Sequence, residues 1–220
     1  MFDAYTHGIF PWPVTDWKGD SQLAWWSPNP RAIFQWDKIH ISRRLLRTIR
    51  TAPFEITSNT DFAGVIYGCA RPRTGDPATW ITPKMIDAYL RFHELGWAHS
   101  VEAWRDGRLV GGIYGVAING LFAAESMFYE ETNASKIALV RLLGHLQARG
   151  YSLVDIQMVT PTTSQFGATE IPRREYMQRL RIALKQKEVT FGELGVIAEW
   201  HLQNVINQDF FPAPLGRQTK

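Results

Sequence analysis

Residues 98–128 read AHSVEAWRDGRLVGGIYGVAINGLFAAESMF. Three strand-like runs lie inside this stretch: Ala98–Trp104, Arg108–Ala117 and Leu121–Phe128. Between them stand Asp106-Gly107 and Asn119-Gly120, dipeptides that suit two-residue hairpin turns. The stretch therefore predicts an antiparallel meander. Working downstream, Asn133 to Arg149 carries apolar residues at helical spacing (Ile137, Leu139, Val140, Leu142, Leu143, Leu146), and Gly150 closes it. An apolar run from Leu153 to Val159 predicts a strand, followed by a short helical turn near Thr163–Gly167 and a helix from Pro172 to about Lys187. Residues 191–207 suggest one more helix.

Upstream, Thr82 is an N-cap with Pro83 at the first helical position, and Gly96 stops that helix. Thr60 to Cys69 predicts a shorter helix. Ile39 to Thr51 predicts another, with Ser42 as N-cap. On it Arg43, Arg47 and Arg50 share one face and Ile41, Leu45, Leu46 and Ile49 the other. Residues 1–36 are rich in Trp and Pro. Leu23–Trp26 and Arg31–Trp36 read as short strands joined by a Ser-Pro-Asn-Pro turn. That segment is too small for a core of its own, so its aromatics should pack onto the rest of the chain. The organisation expected is a small N-terminal domain over residues 1–36 and a larger domain over residues 37–220. The class is mixed α/β (α+β). A meander followed by helix and strand matches acyltransferases of the GNAT type, although the meander alone fits several α+β folds.

Composition narrows the functions. The chain has 220 residues, 45% apolar and 20% charged, which is ordinary for a globular protein. Nine tryptophans and 13% aromatics are many, and such side chains build pockets as well as cores. A formal net charge of +3 makes the placement of charge matter more than its total. With one cysteine, Cys69, no internal disulfide or cysteine metal cluster can form. The start, MFDAYTHGIFPW, does not read as a signal peptide, and no apolar stretch reaches membrane-spanning length. A soluble cytoplasmic protein is expected.

No Gly-rich phosphate loop is present, the histidines show no metal spacing, Ser126 is not in a nucleophile elbow, and Cys69 has no activating partner in sequence. This leaves positioning and polarisation by polar groups in an aromatic pocket. Asp155 and Gln157 stand i, i+2 in the strand 153–159, so they share a face while Val154, Ile156 and Met158 take the other. One reading is an edge strand with a wet face. The other is functional, a carboxylate backing an amide that holds a protonatable amine, because such groups are costly in apolar surroundings unless bonded.

Eight strings occur in order: GIFPW, WWSPNPR, TWIT, HELGWAHSVEAW, LVGGIYGV, LFAAESMF, NASKIAL and GATEIPRREY. Together they resemble the bacterial leucyl/phenylalanyl-tRNA–protein transferase family over roughly Tyr5 to Met177. The resemblance implies a small N-terminal domain and a GNAT-like domain. It implies transfer of Leu or Phe, and less readily Met, from aminoacyl-tRNA to the α-amine of proteins beginning with Arg or Lys. That reaction marks the acceptor for degradation by the N-end rule. No metal or nucleotide cofactor is implied, and the protein is expected to act as a monomer away from membranes.

By the same resemblance Asp155 and Gln157 are the catalytic pair. In physical terms Asp155 bonds and polarises the Gln157 amide, whose carbonyl orients the incoming amine. The aminoacyl pocket is implied to be Trp12, Trp80, Ile113, Phe122 and Glu125. Glu125 either meets the substrate amine or is a structural carboxylate bonded to backbone or Tyr114. The tryptophans are pocket walls or core filling. Tyr5 and Tyr89 are expected near the tRNA end, able to stack on its terminal adenine. Arg43, Arg47 and Arg50 are the tRNA-binding candidates, since phosphate contacts are charge-driven and indifferent to sequence. Arg44 is off their face, and Arg173 and Arg174 serve structure as readily as RNA.

Three departures from the family pattern stand out. The chain starts four residues before the string containing Tyr5. It has Ile113 where relatives often carry Met. It has Thr160-Pro161-Thr162 where relatives carry an Asn-Asp-His-like run. Two other readings remain beside the transferase: a GNAT-type enzyme using acyl-CoA, which needs a pyrophosphate-binding turn where MVTPTTSQFG stands, and a non-catalytic tRNA-binding module.

Overall fold

A computed structural model describes residues 1–15, 21–51, 53–72 and 80–194. The meander forms as expected: β5 (Ala98–Arg105), β6 (Arg108–Ile118) and β7 (Leu121–Tyr129) pair antiparallel in sequence. Asp106 (φ 51°), Gly107 (φ 73°) and Asn119 (φ 52°) adopt the left-handed backbone that these tight turns need. A β-bulge in β7 sets Tyr114 opposite Ser126 but Gly115 opposite Ala124, so Glu125 is the extra residue.

Helix α5 (Ala134–Ala148) crosses one face and returns the chain to β8 (Leu153–Gln157), which runs parallel to β7. Their pairing covers Leu121–Leu153, Phe122–Val154 and Ala123–Asp155. Beyond Ala123, β7 continues for six residues paired with β6 only, no longer with β8. The expected strand to Val159 stops at Gln157, whose φ of 57° turns the chain and leaves Met158 and Val159 exposed.

The sheet has seven strands in the order β4-β5-β6-β7-β8-β3-β9, where β4 is Glu55–Ser58, β3 is Arg31–Phe34 and β9 is Thr169–Ile171. Strand β3 is the main departure from expectation. It does not pair with β2 (Ser21–Trp26) across the Ser-Pro-Asn-Pro turn. It inserts between β8 and β9, with Ile33 opposite Asp155 and Ala32 opposite Glu170. All four of its residues are buried, which a short apolar run achieves only in the middle of a sheet. Strand β2 pairs instead with β1 (Phe10–Thr15) in a separate two-stranded sheet.

The other helices start where their caps predict. Ser42 caps α2 (Arg43–Arg50), accepting from the Leu45 amide at 3.3 Å, and Thr82 caps α4 (Pro83–Glu94). The expected start of α2 at Ile39 is extended chain instead. The helix expected from Thr60 to Cys69 is α3 (Phe62–Ala70), which starts two residues later and is capped by Asp61. Helix α1 (Phe2–Thr6), β4 and β9 were not expected. The turn after β8 is α6 (Pro161–Gln165), and α7 spans Arg173–Ala183. Of the helix suggested for 191–207, residues 191–194 have no regular structure and the rest lies outside the described residues.

The two faces of the sheet hold different cores. One face packs Val101, Ile113, Phe122, Val154 and Ile156 against α2 and α5. On the other, α3 and α4 cover β5–β7, with Tyr89, Tyr114 and Val116 at the contact. On that same side α7 covers β8 and β3, with Ile33, Leu153, Tyr176 and Leu180. The place where β7 and β8 part lies between these last two clusters.

Candidate active site

Asp155 is 1% exposed and Gln157 is 7% exposed, on the face away from Val154 and Ile156. Asp155 is fully bonded. Arg31 donates Nε to Oδ1 at 2.8 Å and Nη2 to Oδ2 at 2.6 Å, a two-pronged ion pair with both partners buried. The Tyr176 hydroxyl donates to Oδ2 at 2.8 Å. The Gln157 main-chain amide donates to Oδ1 at 2.9 Å. Arg31 is itself enclosed, lying over the rings of Phe10 (4.9 Å) and Tyr176 (4.5 Å) and donating to the Gly8 carbonyl at 3.1 Å. Burial acts to lower the Arg31 pKa, but the adjacent Asp155 more than offsets it, so the guanidinium is held above its ordinary value.

The coupling of the pair therefore differs from expectation. Asp155 grips the backbone of Gln157 and fixes its left-handed conformation; it does not bond the side-chain amide. That amide points Nε2 at Glu125 Oε1, a long contact of 3.4 Å across the gap between β8 and β7. The expected structural partner of Glu125, Tyr114, is not the one used. Tyr89 donates to Glu125 Oε2 at 2.8 Å. Because that uses the only Tyr89 hydroxyl proton, the 2.7 Å contact between Tyr5 and Tyr89 has Tyr5 donating. The Tyr114 hydroxyl is buried without a partner among the described residues.

Glu125 is only partly covered as a residue, yet its carboxyl faces this phenol chain with no salt bridge among the described residues. Burial pushes its pKa up to about 7, with Asp155 adding to the rise and the tyrosine hydrogen bonds and Arg31 opposing it. Burial, then the Glu125 charge, pushes the Tyr5 and Tyr89 phenols well above their ordinary value, so both remain donors.

Other expected residues are divided by the sheet. Trp12 stacks on Trp80 (5.2 Å between centroids, 16° between planes) beside the α3/α4 core, on the tyrosine side. Ile113 and Phe122 lie on the α5 side, where Phe122 packs on Tyr151 and Phe191. Tyr5 and Tyr89 correct an expectation: they are 2% and 0% exposed, and their rings lie against Phe92 and Tyr114. Covered rings cannot stack on a base, and it is their hydroxyls that reach the site. Arg43, Arg47 and Arg50 are exposed along α2, as their spacing predicts. Thr160 caps α6 through Thr163 and makes no contact with the pair. Arg31 and Tyr176 hold Asp155 instead. Sequence reasoning passed over both, although each stands inside a family string, WWSPNPR and GATEIPRREY.

A cavity of about 750 Å³ is bordered by Met127, Phe128 and Tyr129, the last residues of β7, by Glu130 after them, Arg71 after α3, the start of α5, and Thr162 of α6. A second cavity, about 550 Å³, shares Thr132, Asn133 and Lys136 with it and reaches Arg44 and His40 beside α2. Among the described residues no three His, Cys, Asp or Glu side chains gather to hold a metal, and no helix is long and apolar enough to cross a membrane.

An ion pair that fixes a main-chain amide, with a second carboxyl facing the neighbouring side-chain amide, suits a group-transfer enzyme that works by positioning. Comparison with known proteins supplies the particular kind. The leucyl/phenylalanyl-tRNA protein transferase family matches residues 33–181. Relatives bearing that name are 46% identical over 203 residues in Solidesulfovibrio magneticus, covering 92% of this chain and 78% of the relative. In Aromatoleum aromaticum identity is 49% over 176 residues, 80% of this chain and 73% of the relative. In Nitratidesulfovibrio vulgaris it is 44% over 213 residues, 96% of this chain and 85% of the relative. The chain belongs to the leucyl/phenylalanyl-tRNA–protein transferase family.

Proposed function

We propose that this chain moves Leu or Phe, and less readily Met, from aminoacyl-tRNA to the α-amine of proteins that begin with Arg or Lys. It acts as a cytoplasmic monomer in N-end rule degradation. Family membership carries the reaction class. For the chemistry, the observation that carries the reading is Gln157, its main-chain amide held by Asp155 and its side-chain amide turned toward Glu125.

In the reaction the acceptor nitrogen attacks the ester carbonyl, a C–N bond forms, and the bond to the 3′-terminal ribose oxygen breaks. The nitrogen loses a proton and the leaving oxygen gains one. Asp155 cannot be the base, because Arg31 and Tyr176 occupy both its oxygens. Its part is to set Gln157, whose side-chain carbonyl receives an N–H of the attacking amine. Glu125, with a pKa near the working pH, takes the proton. Tyr5 and Tyr89 steady its anion. Because an ester is already activated, orientation supplies much of the rate, on the order of 7 kcal/mol or more.

Trp12, Trp80, Phe122 and Ile113 form the aminoacyl pocket in this reading. Trp12 and Trp80 stand on the face that carries Gln157 and Glu125, and Ile113 and Phe122 back the same strands from the other face. Arg43, Arg47 and Arg50 attract the tRNA. A transfer assay tests the proposal: labelled Phe-tRNA or Leu-tRNA with peptides beginning with Arg, Lys or Ala. Product with Arg and Lys but not Ala is expected; product from an acyl-CoA donor, or tRNA binding without product, overturns it.

A further inference from the structure

The two cavities flanking the start of α5 have a chemistry that the reaction above does not use. Helix α5 runs for 15 residues, and its N-cap Asn133 stands at φ 70° with no side-chain cap. The amide of Ala134 bonds the Glu131 carbonyl, but those of Ser135 and Lys136 have no acceptor among the described residues. A helix start with unmet donors attracts anions. The side chains point the same way. Ser135 lines the larger cavity at 4% exposure, and its hydroxyl has no partner among the described residues. Lys136 borders both cavities and, among the described residues, its ammonium bonds only the neutral Gln165 amide oxygen, at 3.2 Å. Arg71 and Arg44 stand at the two ends. The one carboxylate in the lining, Glu130, is held by Arg71.

We propose that this trough is a phosphodiester site: the Ser135 and Lys136 main-chain amides, the Ser135 hydroxyl and the Lys136 ammonium bind a backbone phosphate of the unpaired 3′ end of the aminoacyl-tRNA. The proposal rests on the donor being aminoacyl-tRNA. It adds how the strand leaves the site. The trough starts two residues beyond Glu125 and ends at Arg44, beside the α2 arginines. A strand whose terminal ester lies at Gln157 thus has an anion site on its way to that basic face. Phosphate held there fixes the reach of the terminal ribose without reading any base, which suits an enzyme that accepts several tRNAs.

The test compares two donors, Phe-tRNA and phenylalanyl-adenosine, which carries the same ester and no phosphate. With Lys136→Glu, KM for Phe-tRNA should rise at least about tenfold, and the slope of its logarithm against that of salt concentration should fall by about 1. KM for phenylalanyl-adenosine should stay within about twofold. Ser135→Ala, a milder change, should raise KM for Phe-tRNA about fivefold. Binding of the RNA trinucleotide cytidylyl-cytidylyl-adenosine should weaken in the same order. Equal losses with both donors, an unchanged salt slope, or a rise in the acceptor peptide's KM instead would each overturn the assignment; the last would make the trough a protein site. If the wild type transfers nothing from Phe-tRNA, the functional reading fails, and trinucleotide binding by wild type and Lys136→Glu still decides the phosphate site. A urea midpoint matching wild type confirms that each variant is folded.

Discussion

Two carboxylates flank the gap between β7 and β8, and their surroundings are opposites. Asp155 meets a guanidinium, a phenol and a main-chain amide, all of them donating to its two oxygens. Glu125 meets a phenol and a distant amide, with no cation bonded to it among the described residues. The first is a fixed charge suited to holding geometry. The second sits near its midpoint at neutral pH and is suited to moving a proton. Residue type alone does not separate these roles; the neighbours do.

The sharpest way to break the comparison is at Arg31. Arg31→Met leaves the Asp155 charge buried and unpaired, and should cost about 3–5 kcal/mol in urea unfolding. The double variant Arg31→Met/Asp155→Leu should recover most of that loss while remaining inactive, since packed apolar groups can replace an ion pair but cannot set Gln157. Stability that stays low in the double variant would mean the pair does more than neutralise itself.

Next, Glu125→Gln should lower kcat by about 100-fold or more and abolish the rise of kcat through pH 7. It should also change stability in a defined window. A carboxyl with a raised folded pKa binds its proton more tightly folded than unfolded. Wild-type stability therefore falls as pH rises from about 4.5 to about 7 and levels beyond. Glu125→Gln should flatten that limb, whereas Asp155→Asn should only narrow it, because the Asp155 charge adds to the rise of the Glu125 pKa. A smaller effect is expected from Tyr89→Phe. It removes a hydrogen bond that favours the Glu125 anion, so the midpoint of the pH–rate curve should move up, by roughly one unit or less. The smallest is Arg47→Glu on exposed α2: KM for tRNA should rise severalfold, more at low salt than at high, with kcat for a saturating donor unchanged. Asp155→Ala should do the reverse, lowering turnover more than tRNA affinity, and equal loss of both in each variant would contradict the division of roles.

The parts that local chemistry dictates were legible in the sequence. Asp106-Gly107 and Asn119-Gly120 announce the meander, Ser42 and Thr82 announce their helices, and the i, i+2 spacing puts Asp155 and Gln157 on one face. What was hidden depends on distant partners. Arg31 and Asp155 are 124 positions apart, and nothing near Arg31 says that its strand enters the large sheet. Glu125 looks like an ordinary interruption of an apolar strand until the bulge turns it to the gap. Tyr5 and Tyr89 announce aromatic rings, whereas the structure uses their hydroxyls. Thr160 shows the limit of reading by position: it stands where relatives carry a polar residue, and its oxygen is spent on capping α6.

Strand β3 belongs to the early chain, yet its neighbours on both sides, β8 and β9, come from the late chain. A growing polypeptide can complete the meander before residue 155 exists; until then Arg31 lacks its carboxylate, and until residue 176 exists Asp155 lacks its phenol. The catalytic centre thus assembles only after the meander, and a product cut short before Tyr176 would carry most of the sheet without the phenol that holds Asp155.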